Sequence, residues 1–243
     1  MRVSWSLASS NLQSLAKESQ TCEKEGLHGV WFPDYEAPSA NWPELYVTLT
    51  YVATATASLR IGSLVTDVLR RHPVATAHAF ASLSYLAPGR IVLGLGAGAG
   101  TSHLPFGISV DNSFSKLKEG VDVIRALWNA DPGEKVNYSG DYFSLKQAAA
   151  PLRPSAEIPI YLAAYGPRML DLTARVADGW IPESHTPESF RLTLTALRQS
   201  MTKANRKPSD LEACCCLIFY PWSPDGETHR RLLGAAKRAR WSY

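Results

Sequence analysis

Four glycines stand at every second position where an apolar run ends: Gly94, Gly96, Gly98 and Gly100 in RIVLGLGAGAG. Such glycines could let backbone N–H groups approach pyrophosphate, as in a dinucleotide fingerprint that opens a helix. The spacing does not match that motif. Counted from Gly94 its third glycine falls on Ala99, and counted from Gly96 it falls on Thr101. The next residues, TSHLPFG, do not read as a helix, because Pro105 and Gly107 interrupt them. A strand therefore ends in a glycine-rich loop. The glycines could admit a flat ligand or merely relieve crowding between strands, and the residues alone leave both readings open. A second candidate for anion chemistry is AAYGPRM. There a strand ends, Tyr165 and Gly166 turn, and Pro167 takes the first helical position. The free N–H groups of that helix and its positive dipole end would face an anion.

Metal chemistry finds little support. The six histidines show no HExxH spacing. Cys22 is alone, and Cys214, Cys215 and Cys216 are consecutive. Consecutive side chains on a strand alternate faces, so the three make a poor chelate. They read as small buried hydrophobes on an interior strand. No metal site is expected.

The chain has 243 residues, enough for one large α/β domain with a sizeable core. A formal net charge of +3 is too small to suggest nucleic acid. Much of the positive charge lies in HRRLLGAAKRAR, which reads as a solvated helix face. The N-terminal MRVSWSLASS has no secretory pattern, and no stretch reaches the roughly 18 apolar residues of a membrane span. A cytoplasmic protein with no membrane and no nucleic-acid partner is expected.

The elements that would position these residues alternate regularly. RVSWSL, GVWF, RIGSLV, RIVLGL, IPIYLAA, GWI and LEACCCLIFY read as strands, several continuously apolar as in parallel sheets buried on both faces. Helical patterns follow each. The first, after Ser10, has a capping box with Gln13 and stops at Gly26. The second opens at Pro43 and the third at Pro73. SKLKEGVDVIRALWN places Leu117, Val121, Ile124 and Trp128 at helical spacing. Further helices cover PRMLDLTARVAD, the stretch from Thr186, and the basic run at the end. KVNYSGDYFSL, outside the rhythm, reads as a hairpin around Ser139–Asp141. Seven βα units point to α/β architecture: a (β/α)8 TIM-type barrel, truncated before the eighth strand, or a doubly wound sheet.

Three stretches taken together, GVWFPDY, RRHPVATAHAFASLSYLAPGRIVLGLGAG and IPIYLAAYGPRMLDLTARVADGWI, resemble the luciferase-like monooxygenase superfamily. Within it the chain most resembles the branch dependent on coenzyme F420, a deazaflavin, in which the methylenetetrahydromethanopterin reductases fall. The resemblance runs from Val3 to about Arg240. It implies a single (β/α) barrel domain over 1–243 with its C-terminal part missing. It implies a hydride-transferring oxidoreductase acting on a small organic substrate, methylenetetrahydromethanopterin-like among others, and a homodimer. FMN with monooxygenase chemistry is the alternative, and a non-catalytic cofactor-binding paralogue is a second.

The resemblance also assigns residues. Gly96, Ala97 and Gly98 would lie beside the cofactor ring. A bulge with a non-prolyl cis peptide at Leu64–Val65, followed by Thr66, would back it, with Asp34 nearby. Ala164, Tyr165 and Gly166 would hold the cofactor phosphate, and Pro182 and Glu183 would complete the site. His72 would cap the helix that Pro73 begins. By position, His103 and His185 follow strands four and six at the barrel mouth, either in plain surface loops or touching the cofactor tail or substrate.

Acid–base groups depart from the family pattern. The family's acidic or histidine positions are here Ser6, Tyr35, Ala97 and Ala99. Local substitutes at strand ends are Tyr35, Glu36 and Asp67. A tyrosine is a weak acid at neutral pH, with a reference pKa near ~10. Glu36 would need burial to raise its own.

Overall fold

The computed structural model describes residues 2–35, 41–182 and 186–216. The elements in chain order are β1 (Ser4–Ser6), α1 (Leu12–Lys24), β2 (Gly29–Phe32), α2 (Leu45–Ala55), β3 (Arg60–Ser63), α3 (Pro73–Leu86) and β4 (Ile91–Leu95). There follow α4 (Gly100–His103), α5 (Ser113–Asn129), β5 (Lys135–Ser139), β6 (Ser144–Ala149) and β7 (Ile160–Leu162). The last are α6 (Pro167–Val176), β8 (Gly179–Trp180), α7 (Pro187–Lys203) and β9 (Glu212–Ala213). Seven strands form one parallel sheet in the order β1-β2-β3-β4-β7-β8-β9. β5 and β6 form the expected antiparallel hairpin.

Alternation along the strands builds two layers of core. Val30, Phe32, Ile91, Leu93, Leu95, Ile160 and Leu162 face the helices in the large core. The residues between them, Trp31, Val92 and Tyr161, join Leu64, Val65, Ile181 and Cys214 on the other face. Such period-two sorting is what a curled parallel sheet with helices outside requires. Leu117, Val121, Ile124 and Trp128 lie buried on one face of α5, at the expected spacing. The Trp128 indole N–H donates to the Ala77 carbonyl (2.9 Å), which fixes α5 on α3.

Helix starts differ from the sequence expectation in detail. Asn11, not Ser10, caps α1, accepting from Ser14 N–H at 3.1 Å. Glu44 caps α2 through Val47 N–H (2.9 Å), so Pro43 stands just outside that helix. His72 caps α3 as expected, its Nδ1 accepting from Val74 N–H at 3.3 Å, and Pro73 is the first helical residue. TSHLPFG contains a short α-turn and a 3-10 turn, contrary to the sequence reading. Pro105 enters at the start of the 3-10 turn, where its missing N–H costs nothing.

The cysteine reading needs correction too. Cys214 and Cys216 are half-buried and Cys215 is exposed. The three follow β9, where Cys214 N–H still bonds the Trp180 carbonyl (2.9 Å) and Cys216 N–H that of Pro182 (3.1 Å). Burial pushes the Cys214 thiol up to about 12. The basic run from His229 lies outside the described residues, as do Glu36, Glu183 and His185. Among the described residues, no helix is long and apolar enough to cross a membrane.

Candidate active site

The C-terminal ends of β2, β3 and β4 bring the candidate residues together. In β3 and β4, Ile61 pairs with Ile91 and Gly62 with Val92. Further along, Thr66 pairs with Leu95. Five steps on one strand match four on the other, so β3 carries one extra residue, a bulge. The Leu64–Val65 bond within it is cis, as the resemblance implies. Thr66 N–H donates to the Gly94 carbonyl (2.9 Å), and Gly96 N–H donates to the Thr66 carbonyl (2.8 Å).

The glycines of β4 make this fit. A Cβ on Gly94 would stand 2.1 Å from the Ser63 carbonyl oxygen, and one on Gly96 would stand 2.8 Å from Val65 Cγ2. The Ser63 hydroxyl donates to the Gly94 carbonyl (2.9 Å) and accepts from Gly94 N–H (2.8 Å). Gly98 has φ +81°, and its α-carbon is backed by Leu69 and His103. Close approach of the bulge therefore accounts for Gly94 and Gly96, and positive φ for Gly98.

A buried charge cluster lies behind the bulge. Thr66 Oγ1 donates to Asp34 Oδ2 at 2.5 Å. The Arg70 guanidinium joins Asp34 to Asp67: Nη1 donates to Asp34 Oδ1 (3.1 Å) and Nε to Asp67 Oδ2 (2.7 Å). Asp67 Oδ1 also accepts N–H groups from Leu69 (2.8 Å) and Arg70 (3.0 Å). His103 Nε2 lies 3.0 Å from Asp67 Oδ2. Burial disfavours the Asp67 anion, but the charge and hydrogen bonds of Arg70, with His103, outweigh it and hold the carboxyl below its ordinary value.

His103 is thus buried, with a side-chain exposure of 3%, and does not sit in a surface loop. Its Nδ1 lies 2.8 Å from the Ala99 carbonyl. Sequence reasoning gave Arg70 no role. Its signal was available: two carboxylates at neighbouring strand ends need a cation if buried together.

The other candidates lie around this cluster. Tyr35 is half-buried, its ring 6.1 Å from that of Trp42. Ala97 packs partly buried against the large core. Ala164 is fully buried and its carbonyl accepts the Trp180 indole N–H (2.9 Å). Tyr165 is exposed, and Gly166 caps α6 with Pro167 at the first position. Among the described residues, no side chain caps α6, and a Cβ on Gly166 would meet no atom within 4 Å. None of those residues fills the space in front of the α6 N-terminus. Pro182 is buried beyond β8.

This fold and site define a class. The chain matches the luciferase-like monooxygenase family over residues 2–241 and belongs to it. It is 33% identical over 208 residues to the F420-dependent glucose-6-phosphate dehydrogenase of Kineococcus radiotolerans, covering 82% of this chain and 61% of that protein. To 5,10-methylenetetrahydromethanopterin reductase of Methanolobus tindarius it is 30% identical over 205 residues, covering 84% and 60%. The solved structure of an F420-dependent secondary alcohol dehydrogenase with an F420-acetone adduct superposes with a TM-score of 0.80 at 25% identity, covering 88% of this chain and 68% of that one. The fold class is that of the TIM-type barrels of the family, seen here as seven curled parallel strands. The chain spans about three fifths of the length of the curated relatives it matches.

Proposed function

We propose that this chain carries the cofactor site of a coenzyme F420-dependent oxidoreductase. The observation that carries the reading is the bulge at Leu64–Val65 seated on Gly94 and Gly96 at the mouth of the sheet. The residues present fit the cofactor. Leu64 and Val65 offer an apolar wall, and Gly96, Ala97 and Gly98 offer backbone that carries no bulky side chain of its own. The uncapped N-terminus of α6, with Tyr165 and Gly166, has the donors a phosphate needs. Relatives whose names carry F420 dependence support the same reading.

When bound, the deazaflavin supplies a hydride carrier. The chain's own residues would bind and orient two planar partners, and such positioning carries much of the rate in reactions of this kind. Asp34 and Thr66 would stiffen the wall behind the ring. Asp67 has both oxygens engaged, so its role is to hold Arg70 and His103 and not to move a proton. Tyr35 is left among the described residues as a proton donor to the substrate, and Glu36 is a further candidate from the sequence. The substrate class is a small carbonyl or one-carbon acceptor, methylenetetrahydromethanopterin-like compounds included. The reading includes a cytoplasmic homodimer, which light scattering tests for its oligomeric part.

The direct test is oxidation of reduced F420, followed by the return of its absorbance. The acceptors are a methylene-pterin and a secondary ketone, and an aldose phosphate, which is a hydride donor, is tested in the reverse direction by the loss of absorbance of oxidised F420. Turnover with one of them supports the proposal. Oxidation of reduced FMN by oxygen with substrate hydroxylation, and no turnover of reduced F420, would replace it with monooxygenase chemistry.

A further inference from the structure

Arg70 stands between carboxylates that come from different strands. Besides the bonds above, its Nη2 donates to the Asp34 backbone carbonyl (2.9 Å) and lies 2.9 Å from Asp34 Oδ2 and 2.7 Å from Asp67 Oδ2. All three side chains are nearly out of solvent, with exposures of 11%, 10% and 4% for Arg70, Asp34 and Asp67. Asp67 passes the connection to His103, which rises from the end of α4. His103 and Leu69 together back Gly98. One unbroken set of polar contacts therefore runs from the loop after β2, through the loop after β3, to the glycine loop after β4.

We propose that Arg70 is a positioning residue: its planar fork sets the spacing of these three loops and so the width of the cleft that receives the cofactor ring. The inference rests on the functional reading above. Two carboxylates this close to one another and this far from water repel unless a cation separates them. A guanidinium meets both through donors fixed in one plane, whereas a lysine ammonium is a point charge that cannot reproduce the fork. R70K thus keeps the charge and loses the geometry, and R70M loses both.

The test uses the purified full chain and two readouts. The first is amide hydrogen exchange without cofactor at Gly96, Ser102 and His103, whose N–H groups bond the carbonyls of Thr66 and Ala99. The second is fluorescence titration with F420 and with its ring fragment lacking the phosphate tail. R175M, which breaks an exposed Arg175–Asp171 pair on α6, is the control. In R70M these amides are expected to exchange faster, and both ligands to bind about tenfold more weakly by the same factor, because a smaller fraction of molecules holds the competent cleft. R70K is expected to fall between R70M and wild type, and R175M to match wild type. If R70M does not fold, D34N serves in its place. It leaves Arg70 bonded to Asp67, and faster exchange at Gly96 is again expected. Unchanged exchange and unchanged affinity in the variant that folds overturn the proposal. A wild-type protein that binds neither ligand, with the exchange response intact, refutes the functional reading and keeps the tie between loops.

Discussion

Thr66 pairs with Leu95 one residue out of step with the rest of the β3–β4 ladder. The extra residue in β3 turns Leu64 and Val65 toward the inner face of the sheet, where they meet Trp31, Val92 and Tyr161. Beyond it the strand resumes parallel bonding, which brings Asp67 and Arg70 under the loops of the neighbouring strands. The bulge and the charge cluster are thus consecutive parts of one segment.

The fit of that segment should be intolerant of a single methyl group. In Gly94→Ala the new Cβ would fall 2.1 Å from a backbone oxygen of Ser63, which cannot swing aside as a side-chain tip could. Overpacking of this kind costs roughly 1–3 kcal/mol. For a chain of this size that is a drop of roughly 2–12 °C in melting temperature. Gly166→Ala, where no described residue lies within 4 Å of the new Cβ, should melt within about 1 °C of wild type. Equal melting of the two variants would refute the close contact.

A carboxylate placed at the open end of α6 should separate binding from stability. Gly166→Glu adds an anion at a helix N-terminus, which is neutral or mildly stabilising for the helix. It would also occupy and repel the proposed phosphate position. F420 affinity should fall at least about tenfold, or roughly 1.4 kcal/mol. The far-UV circular dichroism and melting temperature should hold. Unaltered affinity would move the phosphate away from α6.

His72 should matter as a cap. Replacing it by alanine leaves Val74 N–H without its acceptor and removes the edge-on contact of the ring with Phe143 at 5.1 Å. A loss of about 1 kcal/mol in urea unfolding is expected. Asparagine, which caps well, should recover part of it. A stable H72A protein with an unchanged urea midpoint would contradict this role.

Acid should destabilise the fold through a small set of carboxylates. Burial opposes ionisation of Glu23, Glu119, Asp67 and Glu212. Hydrogen bonds, joined by the charge of Arg70 at Asp67 and of Arg60 at Glu212, outweigh it, and all four end below the ordinary value. For Glu23 the donors are Ala57, Ser58 and Leu59, and for Glu119 they are Asp141, Tyr142 and Phe143. A lowered folded-state pKa gives stability that is present above the unfolded value, near ~4, and is lost as pH falls through the folded value. Asp122, raised by burial, acts in the opposite direction. The urea midpoint should therefore fall as pH drops below about 5 toward about 3, and less steeply in E119Q. A midpoint that rises over that interval would contradict the assignment.

Much of this was legible in the sequence. The strand rhythm, the apolar face of α5, the hairpin and the His72–Pro73 helix start are all local patterns, and local patterns survive folding when the core agrees with them. The glycines at 94, 96 and 98 were visible as a feature of the end of β4 and the loop after it. That Gly94 and Gly96 answer to Ser63 and Val65 was not, because register between strands some 30 residues apart leaves no trace in spacing. Arg70 was missed, and His103 was placed at the barrel mouth without its partner, for the same reason. Each is defined by a partner on another segment, and no spacing in the sequence ties Arg70 to Asp34 or His103 to Asp67. The capping of α1 by Asn11 in place of Ser10 is a shift of one residue, within the usual uncertainty of helix ends.

The central claim is that the cleft at the C-terminal ends of these strands takes a deazaflavin. Equilibrium titration of the purified protein with F420 and, separately, with FMN, read by fluorescence, tests it most directly. Saturable binding of F420, at least about tenfold tighter than FMN and weakened by Gly166→Glu, is the predicted result. Preference for FMN, or binding of neither by folded protein, would contradict it.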